Sequence, residues 1–476
     1  MLLLDLLLVQ VALGAFDTIY HHELKEQLPY RAGAAPELRI HGVRALLYAL
    51  IVAGLAAFEW HGWLAVAFGA LFVTEIVLTL RDFVIEDRTR KLPPSERITH
   101  ALLAVNGGAF LLALADTLAG WWSYPGALTA ADHGWRGAAL GAACAGLIAS
   151  GLRDLHAARK LERLPRASAA VDFGGRRLRV LVSGGTGFIG RRLIWTLLEQ
   201  GHEVTVFARD ATRAWLLFDR RVAVTERLDH LPSEARFDAA VNLAGAPVIG
   251  RPWTRARKAE LLASRLDATR EMLAFLARTG TTPVLISGSA IGYYGDRGET
   301  SVSEHDAGRE VFMSQLCAAW EGAAQEAERL GVRVCTLRLG LVLGWGGALP
   351  MLIAPHLAAL GARIGSGRQW VSWVHVDDVV AAIAFLIRNP HARGPFNVVA
   401  PVSLRQAELA RAIARSYRRP LWITLPGRLL EALLGEMAWV FTRGQCVLPA
   451  RLSEAGFRFR YADFDSALRA VRGNAP

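Results

Sequence analysis

The sequence is short of cysteine and equally short of lysine, with four of each. Its 476 residues hold four cysteines, Cys144, Cys317, Cys335 and Cys446. They form no CxxC and no even cluster, which argues against a disulfide framework or a cysteine-rich zinc site and fits a reducing compartment. Of 54 basic residues, only Lys25, Lys91, Lys160 and Lys258 are lysine. Any chemistry that needs a lysine in the C-terminal half therefore has one candidate, Lys258. The net charge of +11 is carried almost wholly by arginine. A basic balance is one mark of nucleic-acid binding. Here the arginines are scattered, no aromatic-interleaved basic patch exists, and many flank apolar segments, so a lipid bilayer is the expected partner and nucleic acid is not.

What the chain has in excess is apolar surface. Hydrophobic residues make up 53%, and the excess is concentrated in the first 155 positions. Five apolar runs stand out there: Leu2–Ile19, Val43–Phe58, Trp63–Leu80, Ile98–Leu118 and Trp135–Leu152. Each approaches the roughly 20 residues that cross a bilayer as a helix, the second being the shortest. The first lacks a basic n-region and contains Asp5 and Asp17, so it reads as a retained span rather than a signal peptide. Lys and Arg gather in residues 20–42, 81–97 and 153–166 and are absent from His61–Gly62 and Ala119–Gly134. With five spans, that alternation predicts an N-terminus outside and a C-terminal half in the cytoplasm, in a bacterial-type inner membrane.

Ionisable residues cluster at the cytoplasmic helix ends. DTIYHHE supplies Asp17, His21, His22 and Glu23. His41 opens the second span. Glu75, Asp82 and Glu86 share one helix face, and Glu96 with His100 is an i, i+4 pair. Facing helices that project carboxylates and imidazoles are how bundles build metal sites. The candidate ligands on this reading are His21, His41, Glu75, Asp82, Glu86 and His100. The competing reading is structural ion pairing at the interface, and the HxxxH and HxxHH boxes of desaturase-type sites are absent.

Residues 156–177 read as a linker, or as a continuation of the fifth helix. From 178 onward the character changes to a soluble α/β domain. A short strand, Arg179–Ser183, runs into Gly184-Gly-Thr-Gly187-Phe-Ile-Gly190, then an amphipathic helix, then a second strand at Glu203–Phe207. Gly184 permits the tight turn, Gly187 lets backbone approach a pyrophosphate, and Gly190 lets helix and strand pack closely. Gly185, Thr186, Phe188 and Ile189 complete the loop. The second strand ends in Phe-Ala-Arg209-Asp210. An acid there would hold a ribose hydroxyl, whereas Arg209, with Arg213 near it, suits a 2′-phosphate. NADP(H) is therefore favoured over NAD(H), and Asp210 keeps the alternative open. Asn242, Ala244 and Gly245 lie in the turn after the next strand, on the nicotinamide side. Alternating strands and helices continue through Val371–Ile387, which predicts a doubly wound, mostly parallel sheet.

SGGTGFIG, NLAGAPVIGRPWT, SGSAIGYYGD, Ala319-Trp320-Glu321, GSGRQWVSWVHVDD, GPFNVVAP and QCVLPARLSEAGFRFRY together resemble the extended short-chain dehydrogenase/reductase superfamily. The similarity lies in its epimerase/dehydratase branch, close to the subgroup labelled epimerase family proteins, and covers 178–476. It implies a Rossmann-type cofactor domain, a nicotinamide cofactor, a small-molecule substrate and a substrate lobe at about 400–476. In that superfamily a serine on the strand-end loop works with a Tyr-x-x-x-Lys helix. Ser289 matches the serine, with Ser287 as the fallback register. Phe312 or Met313 stands at the tyrosine position and Leu316 or Cys317 at the lysine position. Proton transfer would then fall to Tyr293 or Tyr294, with charge from Lys258 or Arg338. His375 reads as packed rather than basic, and Arg368 with Trp370 as a clamp on substrate. An NADP(H)-dependent membrane-anchored oxidoreductase or epimerase-like enzyme is expected. The alternatives are a cofactor-binding sensor that regulates the helices, and a reductase serving a metal site among them.

Overall fold

A computed structural model describes residues 2–26, 28–30, 34–89, 92–163, 167–168, 170–281, 283–357 and 360–473. The chain divides into two compact units, Met1–Leu164 and Pro165–Pro476.

The first unit is helical. Its long helices are α1 (Leu2–Phe16), α2 (Ala35–Ala57), α3 (Trp63–Thr89), α4 (Pro94–Trp122) and α5 (Trp135–Arg163). All five are long and apolar enough to cross a membrane, with α1 counted through its continuation to Glu23. Their outward faces are apolar: Val105 and Leu112 are about three-quarters exposed. In a water-soluble bundle those positions would be polar. The second span is longer than its apolar run. It begins at Ala35 with a proline in its first turn, where the missing N–H costs nothing. The polar residues Glu37, Arg39 and His41 hid that extension from a hydropathy reading. Helices α2 and α5 cross at a pair of glycines. A Cβ on Gly42 would lie 2.9 Å from the Gly151 carbonyl oxygen, and one on Gly151 would lie 3.0 Å from that of Gly42. Small residues at such a crossing let backbones approach in the absence of a hydrophobic drive between helices.

Helix α1 does not end at Phe16. It passes into a π-helical segment, Asp17–Lys25. The wider turn brings residues five apart onto one face, so Asp17 and His22 point the same way. Of the basic residues used for the orientation argument, Arg31, Arg90, Lys91 and Arg166 lie outside the described residues. Helix α5 continues the fifth span to Arg163.

The second unit is a seven-stranded parallel sheet with helices on both faces. Its strands are β1 (Arg179–Ser183), β2 (Glu203–Phe207), β3 (Ala223–Thr225), β4 (Ala239–Asn242), β5 (Val284–Ala290), β6 (Arg333–Leu339) and β7 (Gly394–Val398). They lie in the order β7-β6-β5-β4-β1-β2-β3. The central strands read as continuous apolar runs because both faces are covered, and all four residues of β4 are buried. The crossover helices include α6 (Phe188–Glu199), α7 (Ala211–Leu217), α8 (Arg255–Thr279), α9 (Phe312–Gln325) and α10 (Val376–Arg388). The strand order reverses between β1 and β4, and such a switch point is where open α/β sheets bind ligands.

The region expected to form the lobe, about 400–476, pairs with an earlier part of the chain. Ala362–Ile364 pairs with Ile423–Leu425, and Trp370–Val371 pairs with Leu404–Arg405. A third short pair, Ser301–Val302 with Cys446–Val447, ties the lobe to the segment that follows β5. Residues 362–371 and 404–425 are thus tied together by two short strand pairs.

Candidate functional site

The cofactor cradle forms where β1 meets α6. Gly184 has φ +75°, and a Cβ there would come within 2.5 Å of the Leu243 carbonyl carbon on the neighbouring loop. A Cβ on Gly190 would overlap the Gly184 carbonyl oxygen and stand 2.7 Å from the Gly185 Cα. Gly185 is closed in by the Ile194 and Val206 side chains. Gly187 is the N-cap of α6 and makes no side-chain cap bond, which leaves first-turn N–H groups of the kind that suit an anion. Thr186 is exposed on the loop. Phe188 packs under the Gly344 and Gly347 backbone and holds the turn in place. Ile189 is packed against the core of the sheet.

At the end of β2 the two cofactor readings separate. Asp210 accepts the Arg213 backbone N–H at 2.8 Å and is the N-cap of α7. Its carboxylate is thereby committed to a helix terminus, while Arg209 beside it is exposed. After β4, Asn242 donates to Thr269 Oγ1 (2.8 Å) and accepts the Ala244 N–H (3.3 Å), which sets the turn. A Cβ at Gly245 would press on the Arg265 guanidinium.

The loop after β5 is organised by a group that the sequence reading used only in part. Arg338 on β6 makes a two-pronged ion pair with Glu321 on α9, at 2.9 and 2.8 Å. Ser289 donates to the same carboxylate at 2.6 Å. Arg338 also donates to the Tyr294 hydroxyl (2.9 Å), which donates onward to Asn397 Oδ1 (2.7 Å). The guanidinium lies 3.5 Å above the Tyr293 ring. All of these except Tyr293 are fully or nearly fully buried.

This network corrects three expectations. Tyr294 is not presented to a substrate. It has no exposed surface, both sides of its hydroxyl are engaged, and burial pushes its pKa up to about 12 against the opposing charge of Arg338. Ser289 is held by Glu321, because a buried carboxylate takes every donor within reach. Lys258 is not the charge beside the tyrosines. It is ion-paired with Glu436 and sits 4.8 Å from the centroid of Phe312, so that charge comes from Arg338. Ser287, the fallback, is wholly buried in β5. Phe312 and Met313 pack with Trp253, Tyr293 and Leu316 in an apolar cluster around the buried Cys317. Glu321 and Asn397 were visible in the sequence only inside motif strings, and nothing there showed that they meet.

Arg368 is exposed in the turn of the lobe, and Trp370 is covered by the Arg405 guanidinium at 3.5 Å. Arg405 is in turn ion-paired with Glu299 on the loop after Gly295. Trp370 is thus part of the lobe's own packing.

His375 is a helix cap. Its Nδ1 accepts the Asp377 N–H at 3.1 Å, and burial pushes its pKa down to about 4. It is neutral in the fold. As pH falls from about 6.5 towards 4, the unfolded chain takes up a proton that the native imidazole does not, so stability is lost across that window, on the order of 3 kcal/mol. His375→Asn keeps a capping oxygen without the charge. It is expected to flatten the fall in unfolding midpoint between pH 7 and 4.5, and parallel falls in both proteins would rule the assignment out.

In the helical unit the predicted ligands part company. His21 Nδ1 donates to Asp17 Oδ1 (2.8 Å), and its Nε2 is hydrogen-bonded to Ser95 Oγ (3.2 Å). Glu75 and Asp82 are both bonded to Arg44, at 3.0 and 2.5 Å, which is ion pairing rather than ligation. His41, Glu86 and His100 do converge, and they are joined by Asp17, His22 and Glu96.

The sequence model of the NAD dependent epimerase/dehydratase family matches residues 180–399, and that of a domain of unknown function matches 425–471. The epimerase family protein YfhF of Bacillus subtilis is 36% identical over 302 residues, covering 61% of this chain and 97% of that protein. The human epimerase family protein SDR39U1, solved with NADPH, is 32% identical with a TM-score of 0.56, over 62% of this chain and 100% of that one. A nucleoside-diphosphate sugar epimerase from Corynebacterium glutamicum is 26% identical with a TM-score of 0.51, over 69% and 65% of the two chains. With its glycine cradle, switch point and parallel sheet, this chain belongs to the NAD dependent epimerase/dehydratase family.

Proposed function

We propose that the chain is a membrane-anchored, NADP(H)-dependent oxidoreductase or epimerase-like enzyme whose soluble unit works at the cytoplasmic face. The observation that carries the cofactor choice is the end of β2, where Asp210 is spent as a helix cap and Arg209 stands exposed. The human relative solved with NADPH supports the same choice. A bound nicotinamide would supply or accept hydride. The chain's own part is to seat the pyrophosphate on the first turn of α6, to meet the 2′-phosphate with Arg209, and to close the site with the lobe. Arg368 is the lobe's candidate contact for an anionic substrate group. Tyr293, half-buried beneath Arg338, is the remaining hydroxyl for proton transfer, and the usual Tyr-x-x-x-Lys pair has no counterpart in α9. Five apolar helices and the arginines at their ends support the anchor and its orientation.

The test is direct. Protein in detergent should bind NADPH more tightly than NADH. Arg209→Ala should weaken NADPH alone, by about 1.5–3 kcal/mol for a charge-assisted contact, roughly ten- to a hundredfold in Kd. Equal binding of the two cofactors by the unaltered protein would sink the reading.

A second reading, a cofactor-occupied sensor without turnover, is favoured by the withdrawal of Ser289 and Tyr294 into the Glu321–Arg338 network. Oxidation of bound NADPH by any carbonyl substrate would remove it.

A further inference from the structure

The helical unit contains a cluster that the reductase reading does not use. Asp17, His22, Glu96 and His100 bring one ligand atom each to within 4.8 Å of one another, and His22, His41 and Glu86 do the same beside them. The residues come from α2, α3, α4 and the π-helical segment, so four separate elements converge on one place. The π-turn is what puts Asp17 and His22 on the same face. Asp17 faces His21 with one oxygen and His22 with the other.

The contacts converge on shared points: Asp17 Oδ2 is hydrogen-bonded to His100 Nε2 at 3.2 Å and lies 3.6 Å from His22 Nε2. His22 Nε2 lies 3.3 Å from Glu96 and 3.6 Å from Asp17, yet it makes no hydrogen bond and is about nine-tenths buried. Asp82 Oδ1 is likewise buried without a hydrogen bond, 3.1 Å from His41. Glu86 turns one oxygen to His41 (3.5 Å) and the other to His100 (3.8 Å), so its carboxylate lies between the two groups. The His22 and His41 rings stack at 4.5 Å and 7°. His21 fixes Asp17 from behind at 2.8 Å, as outer-shell partners of metal ligands do. The cluster opens on a cavity of about 430 Å³ among the helices.

We propose that this cluster binds divalent transition metal. One ion is held by Asp17, His22, Glu96 and His100, and a second position adjoins it at His41 and Glu86, with Glu86 placed to bridge. Mixed imidazole and carboxylate ligands select iron, manganese or zinc over soft or alkaline-earth ions, and carboxylates with histidines from facing helices are the pattern of bundle metal sites. Arg44 with Glu75 and Asp82 borders the site as an ion-paired group, joined to it where Asp82 Oδ1 faces His41.

Full-length protein purified in detergent without chelator is expected to carry at least one iron, manganese or zinc per chain by elemental analysis. Stripped protein given Co(II) alone should develop visible d–d absorption. The His22→Ala/His100→Ala double variant should lose that absorption and at least tenfold in metal affinity, while remaining monodisperse and still binding NADPH. Glu75→Gln, outside the ligand set, should keep both. Metal retained undiminished by the double variant overturns the proposal. Should that variant not fold, the wild type decides alone: stripped wild type that takes up no Co(II), Fe(II), Mn(II) or Zn(II) above background overturns it equally.

Discussion

Arg338→Leu is expected to destabilise the α/β unit by about 3–5 kcal/mol, because it leaves the Glu321 carboxylate charged, buried and unpaired. Glu321 is only 4% exposed. The same change strips the Tyr294 hydroxyl of a donor and leaves Ser289 as the partner seen for that carboxylate. Unfolding of the full chain, followed by loss of NADPH binding, should move down by on the order of 10 °C. The double variant Glu321→Met/Arg338→Leu removes both charges and is expected to recover most of the loss, since replacing a buried pair with apolar side chains is often near neutral. Equal losses in the single and double variants would show that the pair is not the coupled unit described. Tyr294→Phe belongs to the same test. It should cost about 1–3 kcal/mol through unsatisfied partners and leave any NADPH oxidation in place; abolished turnover in a folded protein would return Tyr294 to the chemistry.

Gly190→Val should abolish cofactor binding outright. The added side chain has no room, since its Cβ alone would overlap the Gly184 carbonyl oxygen and approach the Gly185 Cα to 2.7 Å. Both neighbours are backbone, which cannot rotate aside, so α6 must move off β1 and carry the N–H cradle with it. Gly190→Ala is predicted to do the same less completely. The contrasting glycine is Gly322 in α9, where a Cβ meets nothing within 4 Å. Gly322→Ala should leave binding untouched and stabilise the fold by up to about 1 kcal/mol through helix propensity and a less flexible unfolded chain. Isothermal titration of NADPH against all three separates a cradle effect from a general intolerance of substitution; binding retained by Gly190→Val would exclude the cradle.

Both predictions turn on what a sequence displays and what it hides. The glycine loop was legible because its spacing is a local steric requirement, and the sheet around it follows from the βα rhythm. The apolar runs marked the five helices because membrane-length hydrophobicity is a property of consecutive residues. The Glu321–Arg338–Tyr294–Asn397 group was not legible, because four elements far apart in the chain have to meet before it exists. Tyr294 looked available for the reason that loop tyrosines usually are. What withdrew it was Asn397 on β7. His22 was missed among the possible ligands because a 3.6-residue period pairs Asp17 with His21 alone, whereas in the π-turn Asp17 turns one oxygen to His21 and the other towards His22. The lobe's second segment was missed because strands of two or three residues leave no alternation to read.

The short pairing of Ser301–Val302 with Cys446–Val447 bears on how the chain tolerates redesign. The stretch from Gly295 to Val302 is pinned at its start by Arg297 donating to the Tyr294 carbonyl (2.9 Å), near its middle by Glu299 on Arg405, and at its end by Leu448 donating to Val302 (2.8 Å). Most surface loops accept insertions at little cost, but a segment anchored at three points has no slack to spend. Its length is set jointly with a strand some 145 positions away (Ser301 to Cys446). A graft from a relative that exchanges this loop alone should fail, whereas one that moves 295–302 and 446–448 together should be accepted as a single part.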